Sequence, residues 1–126
     1  MPQTILIVED EETTASLIQY KLSNSGYDVA TVRDGVRAME YLTTRRPSLI
    51  ILDLMMPIMS GREFLIGLRK NRKYAGIPVI ILSAKTLEKD VLEGLALGAD
   101  DFMKKPFSPS ELVARVKTQL ARKMPS

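Results

Sequence analysis

Residues 49–53 read Leu-Ile-Ile-Leu-Asp, a short apolar run that stops at a single carboxylate. Four apolar residues make a run of strand length, and the isoleucines favour a strand that is buried on both faces of a sheet. Apolar runs of the same kind begin at residues 4, 77 and 102, and an alternating run follows Gly26. The sequence therefore predicts strands at 4–8, 27–32, 49–52, 77–82 and 102–103.

Segments with apolar residues at helical spacing separate these runs and follow the last of them. Gly26 and Gly98 stand where such segments end, as glycine commonly does after a helix. Residues 60–63 and 108–111 have the Ser-x-x-Glu spacing of a capping box, which begins a helix. Successive strand–helix units predict an α/β fold, in which a doubly wound parallel sheet carries helices on both faces.

The chain of 126 residues contains neither cysteine nor histidine, which narrows its possible chemistry. A disulfide framework, a Ser-His-Asp hydrolase, a histidine-ligated zinc site and a phosphohistidine carrier are all excluded. The 45% hydrophobic and 26% charged residues are ordinary for one soluble globular domain. The sequence shows no membrane-spanning apolar run and no signal-peptide pattern, so we expect a cytoplasmic protein that does not contact a membrane.

The densest basic run consists of Arg69, Lys70, Arg72 and Lys73, in a chain of net charge +3. Such a run could indicate nucleic-acid binding. It closes a helical segment, however, where cations complement the negative end of the helix dipole, and Tyr74 is the single aromatic residue beside it. We therefore expect no direct nucleic-acid contact by this domain.

Polar residues follow four of the predicted strands. The first strand is followed by Glu-Asp-Glu-Glu at 9–12, the third by Asp53, the fourth by Ser83 and the fifth by Lys-Lys-Pro at 104–106. Each of these has an ordinary explanation when taken alone, as an acid at a helix start, a cap or a loop residue. In sheets of this type, however, ligands bind at the carboxyl ends of the strands, where these residues would meet.

Three or more carboxylates at one sheet edge repel one another unless protonation or a cation relieves them. Carboxylate oxygens without cysteine or histidine suit a hard cation, and Mg²⁺ is the usual one beside phosphate. Aspartate can attack phosphorus, and phosphoryl transfer needs mainly positioning and charge neutralisation. The pattern thus indicates phosphoryl acceptance by Asp53, with Lys105 and the Ser83 hydroxyl neutralising the transferred group.

Four segments resemble the receiver domain of bacterial two-component response regulators: ILIVEDE at 5–11, DLMMPIMSG at 53–61, ILSA at 81–84 and GADDFMKKPFSPSEL at 98–112. The resemblance implies the flavodoxin-like topology with strand order 2-1-3-4-5. It implies a phosphorylation switch rather than a dedicated enzyme, one that catalyses its own Mg²⁺-dependent phosphorylation and slow dephosphorylation. The partners would be a sensor histidine kinase or histidine phosphotransfer protein and a downstream output domain or protein. We expect the receiver domain to span residues 1–122, followed by a tail or linker at 123–126.

The resemblance also implies which residues hold the metal and accept the phosphoryl group. Asp53 would be the phosphoacceptor. The metal would be bound by Glu9, Asp10, Asp53 and the backbone carbonyl of Met55, with Glu9 acting mostly through water. Glutamate at position 9 replaces the commoner aspartate, a substitution that the family tolerates. Met55 and Lys85 occupy positions that adjust the lifetime of the acyl phosphate.

Three further residues match the parts that sense the phosphoryl group. Ser83 would donate a hydrogen bond to it, Lys105 would pair with its charge, and Phe102 would be the aromatic rotamer switch. The Lys105–Pro106 bond is expected to be cis. Because Phe102 lacks the hydroxyl of tyrosine, a switch based on a tyrosine hydrogen bond is excluded.

The signal is expected to leave through the surface of the fourth helix, the fifth strand and the fifth helix. A shift of Ser83 towards the phosphoryl group would vacate space beside the fourth helix, and Phe102 is placed to fill it. On this surface Asp101 and Arg115 could pair across the two-fold axis of a homodimer. Alternatively they pair within one chain, or with water.

Three other functions compete with this interpretation. A flavodoxin-like cofactor-binding module would need a phosphate-binding loop after the first strand, where the acids at 9–12 would repel a flavin phosphate. An aspartyl-phosphate hydrolase would need a second aspartate two residues after the nucleophile, where this chain has Met55. A degenerate receiver that is never phosphorylated would not need the complete set of acids, hydroxyl and lysine.

Overall fold

The structure is a computed structural model that describes residues 3–56, 58–84 and 88–123, except for the side chain of Lys123. Within these residues, strands and helices alternate along the whole chain: β1 (Thr4–Val8), α1 (Glu12–Asn24), β2 (Asp28–Val32), α2 (Gly35–Leu42), β3 (Leu49–Leu52), α3 (Gly61–Lys70), β4 (Val79–Ser83), α4 (Glu88–Ala96), β5 (Asp101–Lys104) and α5 (Pro109–Lys123). Of the helices that the structure describes, none combines the length and the apolar character needed to cross a membrane.

The strands form one parallel sheet in the order β2-β1-β3-β4-β5, which confirms the predicted topology. In the register, Val8 lies beside Leu52, Leu52 beside Ile81, and Ile81 beside Phe102. The carboxyl ends of these strands therefore reach the same edge of the sheet. The polar residues that end or follow these strands, at 9–12, 53, 83 and 104–106, therefore lie at the carboxyl edge of the sheet.

Side chains alternate along the strands between two apolar cores, one on each face of the sheet. On β3, Ile50 and Leu52 join one core, whereas Leu49 and Ile51 join the other. Helices α2, α3 and part of α4 cover the first core, and helices α1 and α5 cover the second. Since both faces are buried, each central strand reads as an unbroken apolar run.

Capping side chains fix where α2 and α3 begin. Ser60 Oγ accepts a hydrogen bond from the backbone N–H of Glu63 at 3.2 Å, and Ser60 N donates to Glu63 Oε1 at 3.3 Å, so the predicted capping box is complete. At α2, the buried Asp34 accepts from the backbone N–H of Arg37 at 2.8 Å. This second cap lacks a Ser-x-x-Glu pattern and was not predicted from the sequence.

Strand β4 begins at Val79 rather than at the predicted Ile77. The reason is a turn, in which Ile77 N donates to the carbonyl of Tyr74 at 3.0 Å and so is not available to the sheet. The strand extends instead to Ser83, which places this hydroxyl on the sheet itself rather than in a loop.

Arg69 fastens three segments at the amino-terminal edge of the sheet, an arrangement that we call the Arg69 clasp. Its guanidinium donates to the carbonyls of Gly98 at 2.8 Å and Ile77 at 2.7 Å, and to Asp100 Oδ2 at 3.1 Å. The same Asp100 oxygen accepts from the backbone N–H of Val79 at 2.8 Å. The clasp therefore joins the end of α3 to the start of β4 and to the turn after α4.

Replacing Arg69 with methionine should lower the free energy of unfolding by about 2–3 kcal/mol, because an aspartate and three carbonyls, that of Ala75 included, lose their charged donor. Arg62 is the matched control. It pairs with Glu93 at 2.8 Å, but both side chains are more than half exposed. Arg62→Met should therefore cost about 0–1 kcal/mol. Urea denaturation of the two variants measures the difference, and equal losses would contradict a structural role for the clasp.

Candidate functional site

An acidic cluster lies at the carboxyl edge of the sheet. Glu9 and Asp10 directly follow β1, and Asp53 directly follows β3, the strand beside β1. One carboxylate oxygen from each of the three lies within 4.8 Å of the others. Glu9 and Asp53 are 4% and 6% exposed, whereas Asp10 is open to solvent. The structure thus brings together the three acids that the sequence predicted as metal ligands.

Lys105 lies against this cluster. Its Nζ is 2.6 Å from Glu9 Oε1 and 3.5 Å from Asp53 Oδ2. The backbone N–H of Lys105 donates to the carbonyl of Ser83 at 2.8 Å, which ties the β5–α5 loop to the end of β4. The Lys105–Pro106 bond is cis, as predicted. Lys104, one residue earlier, is exposed and makes no ion pair among the described residues.

The cluster holds more negative charge than Lys105 neutralises. Burial raises the pKa of Glu9 to about 7, even though the hydrogen bond from Lys105 acts in the opposite direction, and the charge of Asp53 raises it further. Burial by itself would lower the pKa of Lys105, but its hydrogen bond to Glu9 and the charge of Asp53 raise it overall. A divalent cation would relieve this repulsion, and three carboxylates without nitrogen or sulfur ligands suit Mg²⁺.

The loop after β3 holds the Asp53 carboxylate in a defined orientation. Asp53 Oδ1 accepts from the backbone N–H of Met55 at 3.1 Å, while Oδ2 faces Lys105. The loop closes where Gly61 N donates to the carbonyl of Leu54 at 3.1 Å. A Cβ on Gly61 would lie 2.2 Å from the carbonyl oxygen of Asp53, so this position requires glycine. The Met55 side chain is exposed, and its carbonyl as a ligand stays a prediction.

Ser83 and Phe102 lie on one side of the sheet. Ser83 is fully buried at the end of β4, and strand alternation places its side chain on the same face as Ile81. Ile81 is the register partner of Phe102, and both belong to the core under α4. Ser83 and Phe102, two of the three residues predicted to sense the phosphoryl group, therefore lie on the same face of adjacent strands, and Ile81 is on that face too. Lys85 lies outside the described residues.

Arg115 makes its contacts within the chain. Its guanidinium donates to Asp101 Oδ1 at 2.8 Å, to Glu111 Oε1 at 2.9 Å and to the carbonyl of Phe102 at 3.3 Å. Asp101 and Arg115 therefore pair with each other in the single chain, and a pair across a two-fold axis stays a prediction.

Two features of the site were not predicted from the sequence. One is the direct bond between Glu9 and Lys105, because no local signal links residues that are 96 positions apart. The other is the requirement for glycine at position 61, although Gly61 lies inside the segment that carried the resemblance.

Comparisons with known proteins agree with this geometry. The family model described as response regulator receiver domain matches residues 5–117. The chain is 48% identical over 122 residues to the alkaline phosphatase synthesis transcriptional regulatory protein PhoP of Bacillus subtilis (strain 168), a match that covers 97% of this chain and 50% of PhoP. It is 43% identical over 122 residues to the DNA-binding response regulator MtrA of Mycolicibacterium paratuberculosis (strain ATCC BAA-968 / K-10), covering 97% of this chain and 53% of MtrA. The chain spans about half the length of these curated relatives.

Solved structures are similar over nearly the whole chain. A putative response regulator from Chloroflexus aurantiacus J-10-fl superimposes with a TM-score of 0.92 at 32% identity, covering 96% of this chain and 99% of that chain. The Mn(2+)-bound form of response regulator Rcp1 gives a TM-score of 0.81 at 32% identity, covering 93% and 91%. Together with the matched sequence model, these similarities show that the chain belongs to the response regulator receiver domain family.

Proposed function

We propose that Asp53 is the phosphoacceptor of this receiver domain and that a histidine kinase or histidine phosphotransfer protein is the donor. The observation that carries the proposal is the setting of Asp53: two further acids that could bind a cation lie within 4.8 Å of it, and Lys105 Nζ lies 3.5 Å from its Oδ2. A carboxylate beside a lysine and a cation site is placed to hold a phosphoryl group, whose oxygens carry negative charge in the transition state.

In the reaction, a carboxylate oxygen of Asp53 attacks phosphorus while the phosphorus–nitrogen bond of the donor histidine breaks. The electron pair of the broken bond stays on the imidazole nitrogen, and the product on this chain is an acyl phosphate. Lys105 is within reach to pair with a phosphoryl oxygen. The domain assists its own phosphorylation and loses the group slowly, without being a dedicated enzyme.

The metal ligands in this proposal are Glu9, Asp10, Asp53 and the Met55 carbonyl. Mg²⁺ bound there would neutralise charge on the phosphoryl oxygens. The Mn(2+)-bound form of the similar Rcp1 supports a divalent cation in this family.

The output in this proposal is a change in the surface of α4, β5 and α5. Ser83 moves towards the phosphoryl group, and Phe102 fills the space that it leaves beside α4. A homodimer through this surface would exchange the within-chain Asp101–Arg115 contact for one between copies. The similarity to PhoP and MtrA suggests that the regulated step is transcription, through an output domain beyond this chain.

The unaltered chain, incubated with Mg²⁺ and a small acyl phosphate, should gain the mass of one phosphoryl group. Asp10→Ala should remove most of this labelling and most Mg²⁺ binding, because Asp10 is the solvent-open acid of the cluster. Glu12→Ala is the matched control, since Glu12 is also exposed but begins α1 outside the cluster. Intact-mass spectrometry and Mg²⁺ titration measure both effects. No labelling of the unaltered chain would refute the proposed function.

A further inference from the structure

Helix α4 rests on the sheet through a glycine. Among the residues described in α4, Gly94 is the buried one, whereas Leu92 and Leu95 are 58% and 41% exposed. Among the described residues of α4, Val91 packs against the core while only partly buried, so the helix buries little side-chain surface of its own. How closely it approaches the sheet depends on the residue at position 94.

The side chains of Ile81 and Phe102 occupy the place where a side chain at position 94 would point. A Cβ on Gly94 would lie 2.9 Å from Ile81 Cδ1, and 3.2 Å and 3.3 Å from Cδ2 and Cε2 of the Phe102 ring. These distances are shorter than ordinary van der Waals contacts between carbon atoms, which begin at about 3.5 Å. The edge of the ring thus occupies the place that any larger residue would fill.

The backbone gives no other reason for glycine at this position. Gly26 and Gly98 have φ values of +97° and +109°, in the left-handed region, whereas Gly94 lies inside a helix and has no such value. Glycine weakens a helix interior relative to alanine. The loss of helix stability is offset by the space that glycine leaves for the side chains of Phe102 and Ile81.

Space is also present beside α4, next to α3. A cavity of about 160 Å³ between α3 and α4 is lined in part by Leu54, Gly94 and Leu97. Movement of α4 into this cavity can accommodate a displaced ring. In the proposed output, a change in the Phe102 rotamer would therefore be transmitted as a shift of α4.

We propose that Gly94 is a positioning residue of the switch: its missing side chain forms the space beside α4 in which the Phe102 ring is buried. The proposal rests on the proposed function, because it assigns Gly94 to the step that follows phosphorylation of Asp53. The Phe102 ring is 9% exposed in this structure, and the output in the proposed function requires it to stay buried beside α4, towards Ser83, after phosphorylation. A Cβ at position 94 narrows that space and drives the ring outwards, which disfavours the phosphorylated form.

The test is a titration with the phosphate mimic beryllofluoride in the presence of Mg²⁺, followed through amide NMR shifts. Gly94→Ala should bind the mimic about fivefold more weakly or worse, and the shifts of Leu92 and Leu95 on binding should shrink. Gly67→Ala is the matched control, since Gly67 lies in helix α3 with nothing within 4 Å of an added Cβ. That variant should keep the mimic affinity of the unaltered chain within about twofold.

Two more variants separate a role in switching from a role in packing. Ile81→Val removes Cδ1, the atom nearest to the Cβ that Gly94→Ala adds. In the double variant Gly94→Ala, Ile81→Val, the added Cβ therefore conflicts sterically with Phe102 alone. This variant is expected to fold even if Gly94→Ala does not. Compared with Ile81→Val, it should still bind the mimic more weakly. In a Phe102→Ala background, adding Gly94→Ala should have no further effect on affinity.

The outcomes distinguish the two proposals. If the unaltered chain responds to beryllofluoride but Gly94→Ala responds equally, with the same α4 shifts, Gly94 has no part in the switch. A loss of urea stability with unchanged mimic affinity would likewise show that Gly94 acts in packing and not in switching. If the unaltered chain itself fails to respond, the proposed function falls, and this inference falls with it.

Discussion

Asp53→Asn is expected to abolish Mg²⁺-dependent labelling of the chain by an acyl phosphate. The amide is a far weaker nucleophile than the carboxylate, and no acyl phosphate can form on it. The fold should persist, because the substitution removes one of three clustered negative charges and keeps an oxygen that can accept from Met55 N. Intact-mass spectrometry after incubation measures the result directly.

A matched control is Asp28→Asn, which changes an exposed aspartate at the start of β2, at the opposite edge of the sheet. This variant should be labelled as fully as the unaltered chain. Labelling of Asp53→Asn at the normal extent would show that another residue accepts the phosphoryl group.

Lys105→Met should slow phosphorylation by about 100-fold or more, because the transition state loses a charge preorganised beside Asp53. The same change should make Mg²⁺ bind about tenfold more tightly, since the ammonium no longer competes for Glu9 and Asp53. General damage to the fold would not both slow phosphorylation and increase the affinity for Mg²⁺. Labelling time courses and Mg²⁺ titrations supply the two measurements.

Lys104→Met is the natural control, because it removes an equal charge one residue away, where the side chain is exposed. Neither measurement should change by more than about twofold, as is usual for surface substitutions. If the two lysine variants behave alike, the role assigned to Lys105 is wrong.

The fold was predictable because its signals are local and repeated. Central strands such as β1 and β3 are apolar on both faces, and the Ser60 capping box is a short-range pattern, so both were identified from the sequence alone. The start of β4 was predicted wrongly because apolar character at Ile77 does not reveal the turn that occupies its N–H. Asp53 and its neighbouring acids were predictable because parallel strands bring their carboxyl ends to one edge.

The remaining features depend on distances between residues far apart in the chain. The Arg69–Asp100 contact spans 31 positions, and within a charged run Arg69 reads like any surface cation. Gly94 likewise reads as an ordinary weak point in a helix. The structural role of Gly94 depends on its contact with the Phe102 ring, which cannot be read from the sequence.

The contact between Glu9 and Lys105 has a thermodynamic consequence. It joins residues 96 positions apart, so the acidic cluster and its lysine come together only when both ends of the chain are folded into the sheet. A cation bound there is bound by the native state and not by the unfolded chain. At a free cation concentration 100 times the dissociation constant, such binding adds about 2.7 kcal/mol to stability. The melting temperature as a function of Mg²⁺ concentration would therefore report the affinity of the site without any label or phosphodonor.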